Sequence, residues 1–207
     1  NSIACAKSRI FHQDSSFIGR GFVNKYFWNF GDLNNTQNTS ISKDPFHTYD
    51  TLGSYSVKLI IESDQGCTDS VSKIITVNAT PNVNFEVNNL CISDSVGLQD
   101  ATVFAGTDTL NYFWTIRKIG SGFNVDRRQN PKIKINTAGL YDIGLRVRNN
   151  LSLNEWCEAN KKDTIEFFNS PIADFIVPTI CENDSFTVEN ISTIADSIID
   201  YRFILDN

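Results

Sequence analysis

Five cysteines and two histidines offer the most chemistry in this 207-residue sequence. Cys5, Cys67, Cys91, Cys157 and Cys181 are widely spaced and form no C-x-x-C pair, which fits disulfides better than a metal centre or a redox thiol. Cysteines used in this way imply an oxidising compartment. His12 and His47 are too few for a histidine-rich zinc site, and no nucleophile elbow accompanies them, so a Ser-His-Asp triad has no support. Asp64 with Asp69, or Glu62 with Asp64, could only serve as a glycosidase pair across a cleft, and these residues fall in turns where a solvated carboxylate is the ordinary role. Asp32, Asn34 and Asn35 place oxygen ligands in one loop, a weak opening for calcium in a chain without D-x-D-x-D-G spacing. No Gly-rich phosphate cradle occurs. The expectation is no catalytic residue and no cofactor.

The elements that hold these residues read as strands. Tyr55-Ser56-Val57-Lys58-Leu59-Ile60-Ile61, Lys73-Ile74-Ile75-Thr76-Val77, Lys132-Ile133-Lys134-Ile135 and Tyr141-Asp142-Ile143-Gly144-Leu145-Arg146-Val147 alternate polar with β-branched or aromatic residues, leaving each strand one wet face. Gly-, Asn- and Asp-rich turns such as Gly31 to Asn35 and Ser63 to Gly66 separate them. Hydrophobic residues make up 41% of the chain and aromatics 12%, with 15 Phe, enough to build a core. A net charge of −6 and a pI near 4.9 remove the basic surface that nucleic acid requires. No apolar run approaches the ~18–20 residues of a membrane helix, so no direct membrane insertion is expected. Absence of Met, and a start at Asn1 without basic or apolar leader regions, read as a processed or excised piece.

Self-similarity organises the chain. Cys5 recurs as Cys91, Tyr26-Phe27-Trp28 as Tyr112-Phe113-Trp114, Pro45 as Pro131 and Gly53-x-Tyr55 as Gly139-x-Tyr141, each shifted by 86 residues. Pro81-x-x-x-Phe85 returns as Pro171-x-x-x-Phe175, and Cys91 as Cys181, at a shift of 90. The expected domains are 1–79, lacking its first strand, then 80–169, then 170–207 as the N-terminal part of a third, as in an excerpt from a longer array. Trp28, Trp114, Tyr55 and Tyr141 stand at equivalent mid-strand positions and are expected in the cores. Cysteine spacing within repeats predicts Cys5 bonded to Cys67 and Cys91 to Cys157, with Cys181 left unpaired by truncation. Trp156, beside Cys157 in a loop that the second repeat has lengthened, either packs over a disulfide or contacts a ligand.

Tyr26-Phe27-Trp28-Asn29-Phe30-Gly31-Asp32, Asp44-Pro45-Phe46-His47-Thr48-Tyr49 and Gly53-Ser54-Tyr55-Ser56-Val57-Lys58-Leu59 resemble the W-x-F-G-D, P-x-H-x-Y and G-x-Y-x-V-x-L signature of the PKD (polycystic kidney disease) domain. The resemblance implies an all-β fold of tandem immunoglobulin-like sandwiches of about seven strands each. The second repeat departs from it, with Trp114-Thr115-Ile116-Arg117 in place of F-G-D and neither His nor Tyr after Pro131. The third keeps only Tyr201-Arg202-Phe203-Ile204-Leu205.

The cysteine-bearing turn Gly66-Cys67-Thr68-Asp69-Ser70 looks like PKD-type repeats in large secreted surface proteins of Bacteroidota, among them gliding-motility adhesins and cargo of the type IX secretion system. Asp-Ser/Thr-aliphatic triplets such as Asp69-Ser70-Val71 and Asp163-Thr164-Ile165 resemble the O-glycosylation motif of that phylum, although Asp-Ser/Thr is also ordinary turn chemistry. This second resemblance implies a non-catalytic adhesive or spacer segment on the outer-membrane exterior, in contact with other proteins, surface polysaccharide or neighbouring repeats. Two alternatives are accessory spacers of a secreted chitinase or peptidase, and a structural part of a secretion or motility assembly.

Overall fold

The computed structural model describes residues 3–92, 95–152, 155–179, 185 and 187–193, and Cys181 and Tyr201 lie outside them. The fold is all-β, with no helix among the described residues. The first repeat supplies β1 (Ala4–Cys5), β2 (Arg9–Phe11), β3 (Val23–Asn29), β4 (Thr39–Ser40), β5 (Phe46–Thr48), β6 (Gly53–Ser63) and β7 (Thr68–Asn78). The second supplies β8 (Phe85–Asn88), β9 (Ser95–Asp100), β10 (Leu110–Lys118), β11 (Phe123–Asp126), β12 (Lys132–Lys134), β13 (Gly139–Asn149) and β14 (Glu158–Phe167). A last hairpin pairs β15 (Phe175–Ile176) with β16 (Glu189–Asn190).

The chain forms two compact units, one of Asn1–Val83 with Thr102–Asn111 and Arg146–Asn160, the other of Asn84–Ala101, Tyr112–Leu145 and Lys161–Asn207. In the first, a sheet ordered β1-β7-β6-β3-β4 accompanies the β2-β5 pair. Alternation in β6 turns Val57 and Leu59 inward, where they meet Trp28, Phe30, Tyr49 and Val77. At ~25 cal/mol per Å² of apolar surface removed from water, burial of such side chains is the main stabilising term. In the second unit, Phe85 stands edge-on to Trp114 at 5.3 Å and Tyr141 edge-on to Phe167 at 5.3 Å. Strand orders β11-β10-β13-β14 and β12-β9-β8 complete the tandem immunoglobulin-like arrangement.

The repeat extends to individual hydrogen bonds. His12 N donates to Pro45 O at 2.9 Å, and Leu98 N to Pro131 O at 2.9 Å. Trp28 Nε1 donates to Lys43 O and Trp114 Nε1 to Gln129 O. Asp14 N donates to an Asp44 carboxylate oxygen and Asp100 N to the Asn130 side-chain oxygen, both at 2.8 Å. Tyr55 OH reaches Thr51 as Tyr141 OH reaches Thr137. Each pair is offset by 86 residues. Different side chains thus fill one backbone scaffold.

The two repeats part after the tryptophan strand. Gly31 adopts φ +72°, where a Cβ would lie 2.6 Å from Ser56 O, so the first repeat turns sharply there. Arg117 occupies the matching position, and β10 instead runs on to Lys118 before turning into β11.

The cysteine pairing expected from repeat spacing is corrected. Cys5 is bonded to Cys157, with Cα atoms 5.7 Å apart across 152 residues, while Cys67 and Cys91 are free thiols. Cys5 registers with Asn78, at the far end of β7 from Cys67. The 11 residues of that strand, at ~3.3 Å each, separate the two by about 36 Å, where a disulfide needs Cα atoms within ~7 Å. Cys91 forms a β-bridge with Phe168 and is held from Cys157 by β14 in the same way. Repeat spacing located equivalent cysteines but placed them at opposite ends of one strand.

Candidate functional site

The two motif segments of the first repeat meet inside it. Asp32, in the turn after β3, and His47, on β5, bring Oδ2 and Nε2 to 3.1 Å, with their side chains 9% and 3% exposed. Phe30 stacks on the His47 ring at 4.3 Å and Tyr49 meets it edge-on at 4.5 Å. Tyr49 OH donates to Phe30 O at 3.0 Å, and burial, then Asp32 and Tyr55, raises its ionisation above the ordinary tyrosine range. Asp32 N donates to Asn38, while Asn35 N donates to Asp32 O. The cluster therefore ties the turn after β3 to β5.

His12 lies next to this cluster, with its ring 5.1 Å from Phe30 and 5.9 Å from Trp28. Burial, and secondarily the nearby His47, lowers its pKa to about 4. Its Nε2 is buried without a hydrogen-bond partner. Such an atom loses water without replacement, a cost of about 1–3 kcal/mol. His12 and Trp28 both line a cleft of about 960 Å³ that runs between the β2 segment and β7 and also touches Val57, Val71 and Ile75.

The remaining candidates are dispersed. Trp114 and Tyr141 are buried, and Tyr55 is half-buried against the core. Trp156 is 39% exposed, and the Arg148 guanidinium lies 4.5 Å above its ring while pairing with Glu158. That stacking is a cation–π contact at the surface. Asp142 on β13 was not legible as a charge centre. Arg117 Nη2 at 2.7 Å and Lys162 Nζ at 3.0 Å hold its carboxyl down to about 2, with Thr164 donating at 3.1 Å. Among the described residues no group of three or more His, Cys, Asp or Glu is placed to hold a metal ion.

Collagenase ColA of Bacillus cereus (strain ATCC 14579) is 34% identical over 71 residues, which is 34% of this chain and 7% of the collagenase. Collagenase ColQ1 of Bacillus cereus (strain Q1) is 34% identical over 79 residues, 38% of this chain and 8% of the collagenase. The matched stretch is under a tenth of the length of either relative. The fibronectin(III)-like modules of Clostridium thermocellum CbhA overlay with a TM-score of 0.38 at 12% identity, covering 81% of this chain and 88% of that one. Residues 1–79, which hold the Trp28 strand, the Asp32–His47 pair and the Gly53-x-Tyr55 strand, match the family model of the PKD domain.

Proposed function

We propose that this chain is a non-catalytic repeat segment of a larger extracellular protein, a row of sandwich modules at 1–79, 80–169 and 170–207 that act as spacers or adhesive surfaces. The observation that carries this reading is the Cys5–Cys157 bond, which closes 152 residues into one covalent loop. A disulfide of that span suits an oxidising exterior and limits how far the chain extends under load. The histidine–carboxylate pair is spent on holding the fold, so the reading assigns it no catalytic step. It assigns no cofactor either, since the Asp32 carboxylate that calcium would need is committed to His47. In its finer form the reading places the segment on the outer-membrane exterior of a gliding or adhesive Bacteroidota cell, exported by the type IX route, with protein or polysaccharide as partner.

Stretching the chain by atomic force tests the spacer role. With the disulfide intact, the segment from Cys5 to Cys157, a separation of 152 residues, stays hidden from the force, and reduction releases about 53 nm more contour at ~3.5 Å per residue. Equal extension before and after reduction would overturn the role.

A second reading, an accessory module of a secreted hydrolase, is favoured by the collagenase relatives. Sedimentation of the chain with insoluble collagen or chitin separates the two. Retention on one polymer supports the accessory module, and turnover of either would overturn the non-catalytic reading.

A further inference from the structure

The two repeats differ on the outer face of their shorter sheets. In the first, β2 and β5 set Arg9 opposite Thr48, Ile10 opposite His47 and Phe11 opposite Phe46. In the second, β9 and β12 set Ser95 opposite Lys134, Val96 opposite Ile133 and Gly97 opposite Lys132, the same register shifted by 86 residues. Ile10 and His47 are buried, so alternation leaves Arg9 and Phe46 together on the outer face, with the Arg9 guanidinium 4.3 Å from the centre of the Phe46 ring. Phe46 is nevertheless 52% exposed. The equivalent Ser95 and Lys132 hold the same ladder without a guanidinium or an aromatic ring, so the scaffold does not require this pair.

Beside the pair, between β5 and the segment that leads from Asp32 into β4, opens a pocket of about 600 Å³. The buried Phe30 and His47 form its floor, and Asn35, Gln37, Thr39 and Thr48 rim it with amide and hydroxyl groups. The matching space of the second repeat, lined by Ile116 and Ile133, is about 220 Å³. β4 and β5 are two and three residues long and Asn35 Nδ2 already donates to Thr48 O, so an incoming peptide strand finds little ladder to join. A ring bearing several hydroxyls instead meets donors and acceptors along the rim and an aromatic surface beside them. Charge narrows the class further. Residues 1–79 hold seven Lys or Arg and seven Asp or Glu, so the repeat as a whole does not select an anion, but among the described residues Arg9 enters no ion pair. Stacking on Phe46 occupies the face of its guanidinium and leaves the N–H edge for a carboxylate, which that fork matches with two hydrogen bonds. We propose that this pocket binds a uronic-acid unit of a polysaccharide, with Arg9 on the carboxylate, Phe46 against a C–H face of the ring and the Asn35, Gln37, Thr39 and Thr48 side chains on its hydroxyls. The proposal names a partner for the adhesive reading given above and rests on it.

Titration calorimetry of the 207-residue chain with a galacturonate oligomer tests this. The oligomer should bind, and the same oligomer with its carboxyl groups methyl-esterified should bind at least about tenfold more weakly, since the charge-assisted pair is lost. Arg9→Gln should weaken the acid form by a similar factor and leave the ester unchanged. Gln37→Ala should weaken both forms alike. Both variants alter exposed side chains, so their melting curves should match that of the parent. Polyglutamate, which offers carboxylates without sugar rings, should not bind. No binding of the acid oligomer overturns the proposal, and so does an affinity that esterification, Arg9→Gln or replacement by polyglutamate leaves unchanged. The spacer role is decided by extension under force, so the two failures are distinguishable.

Discussion

Cys5, at the opening of the first repeat, is covalently joined to Cys157, in the end loop of the second, rather than to any cysteine of its own repeat. In the loop-entropy view, closing 152 residues constrains the unfolded chain by about 5 kcal/mol, less any strain in the folded bond. Peptide mapping without reduction should recover one cross-linked pair containing Cys5 and Cys157, with Cys67 and Cys91 alkylated as free thiols. Cys5→Ser should lower the melting temperature by several degrees, and a reductant should do the same to the parent chain. A Cys5–Cys67 peptide would contradict the separation of about 36 Å that β7 imposes.

His12 makes the first repeat sensitive to acid. The unfolded chain takes up a proton on this ring near 6.5, the folded chain only near 4, because burial and His47 oppose the charge. Between those values the unfolded state holds more protons, so stability falls as pH drops from about 6.5 to about 4, and this group has no effect above that window. Leu98 fills the equivalent position of the second repeat and is almost fully buried. His12→Leu should therefore raise the melting temperature at pH 5 by more than at pH 8. Equal gains at both pH values would show that the benefit is packing alone.

Gly31 is fixed by its backbone. At φ +72°, with Ser56 O 2.6 Å from the place of a Cβ, Gly31→Ala meets both torsional strain and a main-chain clash. The expected loss is about 1–3 kcal/mol in urea denaturation. Gly66, also at positive φ, has nothing within 4 Å of a Cβ, so Gly66→Ala should cost less than Gly31→Ala.

Strand segments and core were legible because they follow from local alternation and from repetition. Val57, Leu59, Trp28 and Trp114 reveal their inward faces through period two, and the 86-residue shift copies one hydrogen-bond frame onto the other. Asp32 and His47 were visible as members of two motifs, but only the fold brings a turn after β3 against β5. The disulfide was misread because sequence spacing counts residues and not direction. Sixty-odd residues separate the cysteines of each repeat, yet in the first the 11-residue β6 starts level with Cys5 and runs away from it before the turn to Cys67. Asp142 gave no signal, since Arg117 and Lys162 come to it from neighbouring strands of the sheet.

The cleft sets the two equivalent tryptophans apart energetically. Trp114 is completely buried, with Phe85 edge-on to its ring, so Trp114→Ala leaves a closed void and should cost about 3–5 kcal/mol. Trp28 makes the same indole hydrogen bond, at 3.3 Å to Lys43 O, but one side of it borders the open cleft. Water can enter the space that Trp28→Ala vacates, and fewer contacts are lost, so its cost should fall at or below the lower end of that range. Hydrogen exchange at β6 and β13 reads the two repeats separately, and the loss of protection should be larger at β13 in Trp114→Ala than at β6 in Trp28→Ala.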